Sequence, residues 1–351
     1  MADLSKNIEI NSTQIAKLVG VSRSTVSRVI NNYPNVSEKT YEKVMKAINK
    51  YNYYPNLSAQ VLKGKGSKTI GLFVISSGNF SKDIGSSLMI SSVIENAFLL
   101  GYHVLTYVIQ SFQREENSNK VKEIFYQRRI DGGIFIGAEN HENVIEELIA
   151  EGFIVGVMDQ DVPGRTEPNS VVVNFESKLN AKYAVDYLYN LNHRKIAFIN
   201  GSMKKHSGVM KYKGFMQGIE EHKLLVPDNW ITYGDFSEEG GYEATKQILN
   251  NSKSLPTAIC TANDHIAFGA IRAIKEFGLS IPNDISIIGS DDNLLSEYYT
   301  PSLTTFRVDF TGILGALITK IIEIIETKEN DEFKITEFDT LFVERESCKR
   351  I

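Results

Sequence analysis

Arg23, Ser24, Thr25, Ser27 and Arg28 fall within one eight-residue stretch, RSTVSRVI, that holds no acidic side chain. On a helix, Val26, Val29 and Ile30 take one face and leave the arginines and hydroxyls mostly on the other. Such a face can donate to phosphates and base edges, which is chemistry suited to the DNA major groove. A second set is scattered through the chain. Ser76, Asp159, Asp235, Asn263, Asp264 and Asp291 each follow an apolar run that reads as a strand, and Phe236 adjoins Asp235. Carboxylates and amides exchange hydrogen bonds with hydroxyls, and an aromatic face covers the C–H surface of a sugar. The mix suits a neutral polyhydroxylated ligand. Helix capping is the competing use, and it is the one expected for Asp264 and Asp292.

The elements that must position the first set can be read locally. Asn11 and Ser12 can cap a helix whose apolar stripe is Ile15, Ala16 and Val19. Gly20 ends it, Val21 anchors the turn, and Ser22 caps the helix bearing the arginines. A third helix runs from Ser37 to about Tyr51. Asn56 to Lys63 could add two turns before Gly64 and Gly66 stop them. So short a helix is unstable alone in water, so it either orders on a partner or stays a flexible tether. Residues 1–68 carry 11 Lys/Arg against 4 Asp/Glu, a net +7, and the remainder carries 27 against 39, a net −12. A basic head on an acidic body localises polyanion binding to one end, and favours DNA over the alternative of a protein-binding trihelix.

The segments IAKLVGVSRSTVSRVIN, NVSEKTYEKV and YYPNLSAQVLKG resemble the DNA-binding head of the lactose/galactose repressor (LacI/GalR) family. The resemblance implies that Arg23, Ser24 and Arg28 touch base edges. It places Ser22, Thr25, Ser27, Asn31 and Ser37 on phosphates. Arg28 is the candidate for guanine, because its fork fits O6 and N7 together. It also implies that residues 56–63 form a hinge helix whose Leu62 wedges into the minor groove and kinks the duplex.

From Thr69 the pattern changes to apolar strands alternating with amphipathic helices, beginning with TIGLFVIS. This predicts parallel sheets covered on both faces. The pattern restarts at VVVNF, which predicts two α/β lobes crossing near residues 163–169. The expected organisation is a helix-turn-helix domain over 1–54, a hinge and linker over 55–68, and an effector and dimerisation domain over 69–351. Within the last, one lobe is expected at about 69–163 plus 291–322 and the other at about 164–290 plus 323–351. RRIDGGIF, HRKIAFING, PTAICTANDHIAFGAIRAIKEFGLSIPNDISIIGSDD and PSLTTFRVD resemble the type I periplasmic-binding-protein fold of the same family. That resemblance favours ligand contact for Asp291, Asn263 and Phe236, in a crevice at the carboxyl ends of the strands. Many sugar-responsive members carry arginine where this chain has Lys211, in KYKGF, so Lys211 is an effector-binding candidate as well, but lysine is a point charge rather than a fork, and it is the residue expected to hold the phosphate if the effector is a sugar phosphate. SSGNFSKDIGSSL replaces the common Asn-Pro-Phe-Phe stretch, and Ile75 and Ile136 stand where a galactoside repressor shows polar side chains.

These features imply a transcription regulator, expected to repress carbohydrate genes, whose effector in the cleft changes operator affinity by favouring one lobe arrangement. Two heads on a two-half operator imply a homodimer. The chain ends at LFVERESCKRI without a leucine heptad, so no tetramer-forming extension is expected. A phosphorylated phosphocarrier co-repressor, known to act on some family members that carry lysine at the Lys211 position, is the alternative to a sugar, and a nucleobase is another. An α/β sugar-processing enzyme with a DNA-binding head competes with all of these. Against it, the six histidines form no HExxH, and no GxSxG elbow or P-loop follows a strand. No catalytic residue, metal or cofactor is expected. Cys260 and Cys348 fit no disulfide or zinc spacing, and MADLSKNIEINS lacks a signal peptide's apolar stretch, so a cytoplasmic location is expected.

Overall fold

The structure is a computed structural model that describes residues 10–54, 61, 64, 66–76, 84–110, 115–162, 165–252, 254–328 and 335–351. It divides into two compact units, residues 1–67 and 68–351. Leu62 lies outside the described residues, as does most of the expected hinge helix.

Among its described residues the first unit has the helices α1 Ser12–Val19, α2 Arg23–Ile30 and α3 Glu38–Tyr51. Asn11 accepts from the Thr13 and Gln14 amides, and the Gln14 side chain returns to the Asn11 amide, so both sides of the α1 start are satisfied. Gly20 takes the left-handed conformation at φ +75°, which lets α1 stop and the chain turn into α2 within three residues. Ile15, Val26 and Val44, one from each helix, are fully buried and form the centre of the small core.

The second unit holds two parallel sheets. The first lobe begins with β1 Thr69–Ile75, α4 Ile84–Leu99, β2 His103–Ile109, α5 Glu115–Tyr126, β3 Gly132–Ile136, α6 Asn143–Ala150, β4 Val155–Met158 and β5 Ser170–Phe175. Its sheet order is β2-β1-β3-β4-β5-β11, with β11 at Ile335–Phe338. One face packs Leu72 and Ile134 against Leu314, Leu317 and Ile321 of α11 Phe310–Thr327. The other packs Phe73, Phe125, Phe135 and Leu148. Both faces are therefore dry, which is why these strands read as continuous apolar runs.

The second lobe runs α7 Ser177–Asn190, β6 Ile196–Asn200, α8 His206–Glu221, β7 Ile231–Tyr233, α9 Glu238–Asn251, β8 Ala258–Thr261, α10 Asp264–Glu276 and β9 Ser286–Ile288. Its sheet order is β7-β6-β8-β9. Two glycines set the spacing of its helix pairs. A Cβ on Gly269 of α10 would lie 1.9 Å from the Glu238 carbonyl oxygen of α9. A Cβ on Gly214 of α8 would lie 2.0 Å from the Lys178 carbonyl oxygen of α7.

The lobe boundaries differ from those expected. VVVNF belongs to β5, which pairs in parallel with β4 through Val157↔Val172, so the first crossing follows Phe175 rather than residues 163–169. β11 pairs with β5, so residues 335–338 complete the first lobe. Phe306 packs in the second lobe beside Phe198 and Cys260, whereas Val308 packs in the first. Residues 291–306 therefore belong with the second lobe. β10 Thr305–Arg307 pairs antiparallel with β12 Leu341–Val343. Three neighbouring strands cross between the lobes, near Glu176, Arg307 and Asp339. Hydrogen bonds from the Glu176 amide to Phe338 O (3.2 Å) and from Thr340 Oγ1 to Asn180 Oδ1 (2.6 Å) tie two of them together. An apolar run identifies a buried parallel strand but says nothing about which sheet receives it, so the pattern alone does not place the crossings.

Candidate functional site

In the first unit, α2 displays the residues expected to meet DNA. Arg23, Ser24, Arg28, Ser22, Asn31 and Ser37 are exposed, and Thr25 and Ser27 are half-buried. Several already serve the fold. Ser22 caps α2 through the Thr25 amide (3.0 Å), and Ser37 caps α3 through the Thr40 amide (3.4 Å). Asn31 Nδ2 donates to Ser27 O at 2.5 Å, and Arg23 Nε donates to Ser12 Oγ at 3.1 Å. Arg28 is different: among the described residues its guanidinium has no hydrogen bond or ion pair. Its fork is the one that stands open to a ligand on this helix.

In the second unit, the other candidates stand at the carboxyl ends of strands. Ser76 follows β1, and Asp159 follows β4 with φ +65°. Phe236 follows β7, Asn263 follows β8 and Asp291 follows β9. The Phe236 ring lies on Gly201, where a Cβ would meet ring carbon Cζ at 2.0 Å, so only glycine leaves room for this aromatic. Asn263 Nδ2 donates to Phe236 O at 3.1 Å and joins those two loops. The lobes meet where Ser207 Oγ donates to Asp159 Oδ2 at 2.6 Å and the Asn140 amide donates to Lys204 O at 2.8 Å.

Three expectations are corrected. The cap of α10 is Asn263, whose Oδ1 accepts the Ile266 amide at 3.0 Å, and Asp264 takes no cap role. Capping passes to the residue just outside the helix because only there can a side chain fold back onto the free N–H groups. Asp292 is not a cap either. It accepts from Arg307 Nε at 2.7 Å and Arg345 Nη2 at 2.6 Å, pinning the crossing strands. Lys211 is only 4% exposed, and its ammonium donates to Ala262 O and to Ser290 Oγ (3.2 Å). It thus clamps the two loops that carry Asn263 and Asp291.

Asp264 is fully buried and accepts from Thr305 Oγ1 and Ser296 Oγ, both at 2.6 Å, and from the Asn293 amide at 2.7 Å. Burial pushes its carboxyl up to about 6 despite these donors, which pull it down. The folded state therefore holds this proton more tightly than the unfolded chain does. The group's contribution to stability is greatest below its unfolded pKa of about 4 and declines as pH rises to about 6. The stability gap between wild type and Asp264→Ala is expected to be narrower at pH 7 than at pH 4 in urea titrations. A gap that widened with pH would contradict this account.

Lys205, His206 and Ser207, at the start of α8, are not among the residues that the sequence singles out. The adjacent pair of lysines at Lys204 and Lys205, placed just before a helix, was the available signal. Among the described residues, no group of three or more His, Cys, Asp or Glu side chains could hold a metal ion. No helix among them is long and apolar enough to cross a membrane.

Comparison with known proteins agrees with both units. Residues 13–56 match the profile of bacterial regulatory proteins of the lacI family, and residues 185–348 match a periplasmic binding protein-like domain. The HTH-type transcriptional repressor PurR of Histophilus somni is 34% identical over 343 residues, covering 96% of this chain and 98% of that protein. The PurR repressor of Haemophilus influenzae is 33% identical over 341 residues, with the same coverage. Among solved structures, the lac repressor dimer bound to operator and the anti-inducer ONPF superposes with a TM-score of 0.83 at 28% identity. That match covers 97% of this chain and 99% of the repressor.

Proposed function

This chain belongs to the LacI family of DNA-binding transcriptional repressors, and from that premise we propose that a small hydroxylated effector held between its lobes sets its operator affinity. The observation that carries the reading is the set Phe236, Asn263 and Asp291, placed at the carboxyl ends of β7, β8 and β9 of one lobe, with Asn263 hydrogen-bonded to Phe236 O across the intervening β6. An aromatic face beside an amide and a carboxylate suits a sugar or sugar derivative. The three crossing strands supply the motion. An effector that binds one lobe angle better than the other shifts the population of lobe angles, and with it the spacing of the heads.

The reading includes a homodimer on a two-half operator. Supporting it, α4 exposes Leu88, Ile94, Phe98 and Leu99, and the second lobe exposes Leu294 and Tyr298, a large apolar area for a chain on its own. The function is regulatory rather than enzymatic in this reading, since the full-length relatives named above are repressors.

Fluorescence anisotropy on an operator selected from random DNA tests the proposal. A panel of neutral sugars and nucleobases is titrated into the complex, on the full operator and on one half of it. At least one sugar is expected to change affinity for the full operator. Asp291→Asn is expected to abolish that response and leave operator binding within about twofold of wild type. Equal affinity for half and full operators would argue against the dimer. A response confined to nucleobases would replace the sugar. If no small molecule acted but a phosphorylated phosphocarrier protein raised operator affinity, the effector reading would fall.

A further inference from the structure

Lys205 is the last residue before α8 and occupies its N-cap position in an extended conformation, but no side chain caps that helix start. The first N–H groups of this 16-residue helix therefore have no side-chain cap. The Lys205 ammonium lies between the lobes. It sits 5.5 Å from the centre of the Phe236 ring in the second lobe, and a Cβ on Gly137 of the first lobe would be 3.7 Å from it. Burial holds its pKa below the ordinary lysine value, while Asp159, Glu139 and Asp235 pull it back up.

None of those carboxylates reaches it. Asp159 accepts from Ser207 Oγ, and Asp235 accepts from the Ser237 amide and hydroxyl. Glu139 lies 3.5 Å from Lys204 Nζ. Among the described residues, the Lys205 ammonium makes no hydrogen bond or ion pair. Beside it His206 is buried, and its Nδ1 has no partner either. The Lys205 ammonium is half-buried with a ring face against it but no acceptor, and a neutral polyol does little to offset the cost of its partial desolvation. A helix start with free N–H groups and a lysine beside it is an anion seat.

We infer that the cleft's effector carries an anionic oxygen group, a phosphate monoester or a carboxylate, seated between Lys205 and the first turn of α8. The inference rests on the reading that the cleft takes an effector and narrows its chemistry. It also relocates the charge contact, since the Lys211 ammonium is already spent on Ala262 and Ser290.

Thermal unfolding of the full chain in inorganic phosphate, acetate or chloride at equal ionic strength tests it. About 50 mM phosphate or acetate is expected to raise Tm by about 2 °C or more over chloride. Lys205→Gln is expected to lose that increment and Lys205→Arg to keep it. A shift with phosphate alone identifies a phosphate monoester, and one with acetate alone a carboxylate. An equal shift in Lys205→Gln means general anion stabilisation and overturns the inference. So does the absence of any shift in wild type. The two readings fail separately. If neutral sugars release the operator and no lysine-dependent shift exists, only the anionic group is lost. If the shift depends on Lys205 but no small molecule alters operator affinity, the seat stands and the effector reading falls.

Discussion

Arg28→Ala is expected to cost about 1–3 kcal/mol of operator binding, roughly a 5- to 150-fold loss, while binding to random DNA stays nearly unchanged. Arg28 is exposed on α2, and its guanidinium has no partner among the described residues, whereas Arg23 is held by Ser12. A free fork can make two parallel hydrogen bonds to one guanine. Alanine removes both and leaves in place the hydroxyls expected to hold phosphates. The loss should therefore appear in discrimination, at one base position, more than in the salt-dependent affinity shared by all sequences. The measurement is the ratio of operator to random-DNA affinity for each protein, with the operator selected by wild type. A ratio unchanged in the variant would show that α2 does not read bases through this residue.

Gly269→Ala is expected to destabilise the second unit by about 1–3 kcal/mol, against a gain of at most about 1 kcal/mol from alanine's better helix propensity. The added methyl would sit 1.9 Å from the Glu238 carbonyl oxygen and 2.6 Å from the Tyr242 nitrogen. Both are backbone atoms of α9, so no side chain can swing aside, and the two helices must part. Their separation also governs Arg272, which bridges from α10 to Glu238 and Glu239. Urea denaturation of the full chain is the assay. A variant as stable as wild type would mean that α9 and α10 slide apart freely, and the contact would not set their spacing.

The head was legible nearly to the residue because everything that shapes it is local. Asn11, Gly20, Ser22 and Ser37 sit within a few positions of the helices they start or stop. The identities of the strands in the body were legible for a similar reason. Which sheet each strand joins was not, because β5 and β11 are paired by contacts between residues more than 150 positions apart, such as Val172 with Ile335. The cleft was partly legible. Strand ends marked Phe236, Asn263 and Asp291, but local pattern could not show that Asn263 would take the cap and leave Asp264 to anchor Ser296 and Thr305. Lys205 escaped notice because surface lysines are common, and only its placement between two lobes makes an unpaired ammonium informative.

The interleaving of the lobes bears on how the chain is made. On β4, a Cβ at Gly156 would lie 2.3 Å from Ile321 Cδ1, so α11 rests directly on that strand and closes the first lobe's core. That helix begins at Phe310, after every strand of the second lobe's sheet has been specified. A ribosome translating from the amino terminus, at about 5–20 residues per second, releases β1 to β5 well before the helix that covers them. During that interval Leu72, Ile134 and Val173 lack the partners they have in the finished core. The second lobe waits as well, since the Ser347 carbonyl accepts from the amide of Ile287 in β9. Both lobes therefore reach completion together, as the last few dozen residues emerge, and a nascent chain halted before Phe310 presents an uncovered sheet face to chaperones and proteases.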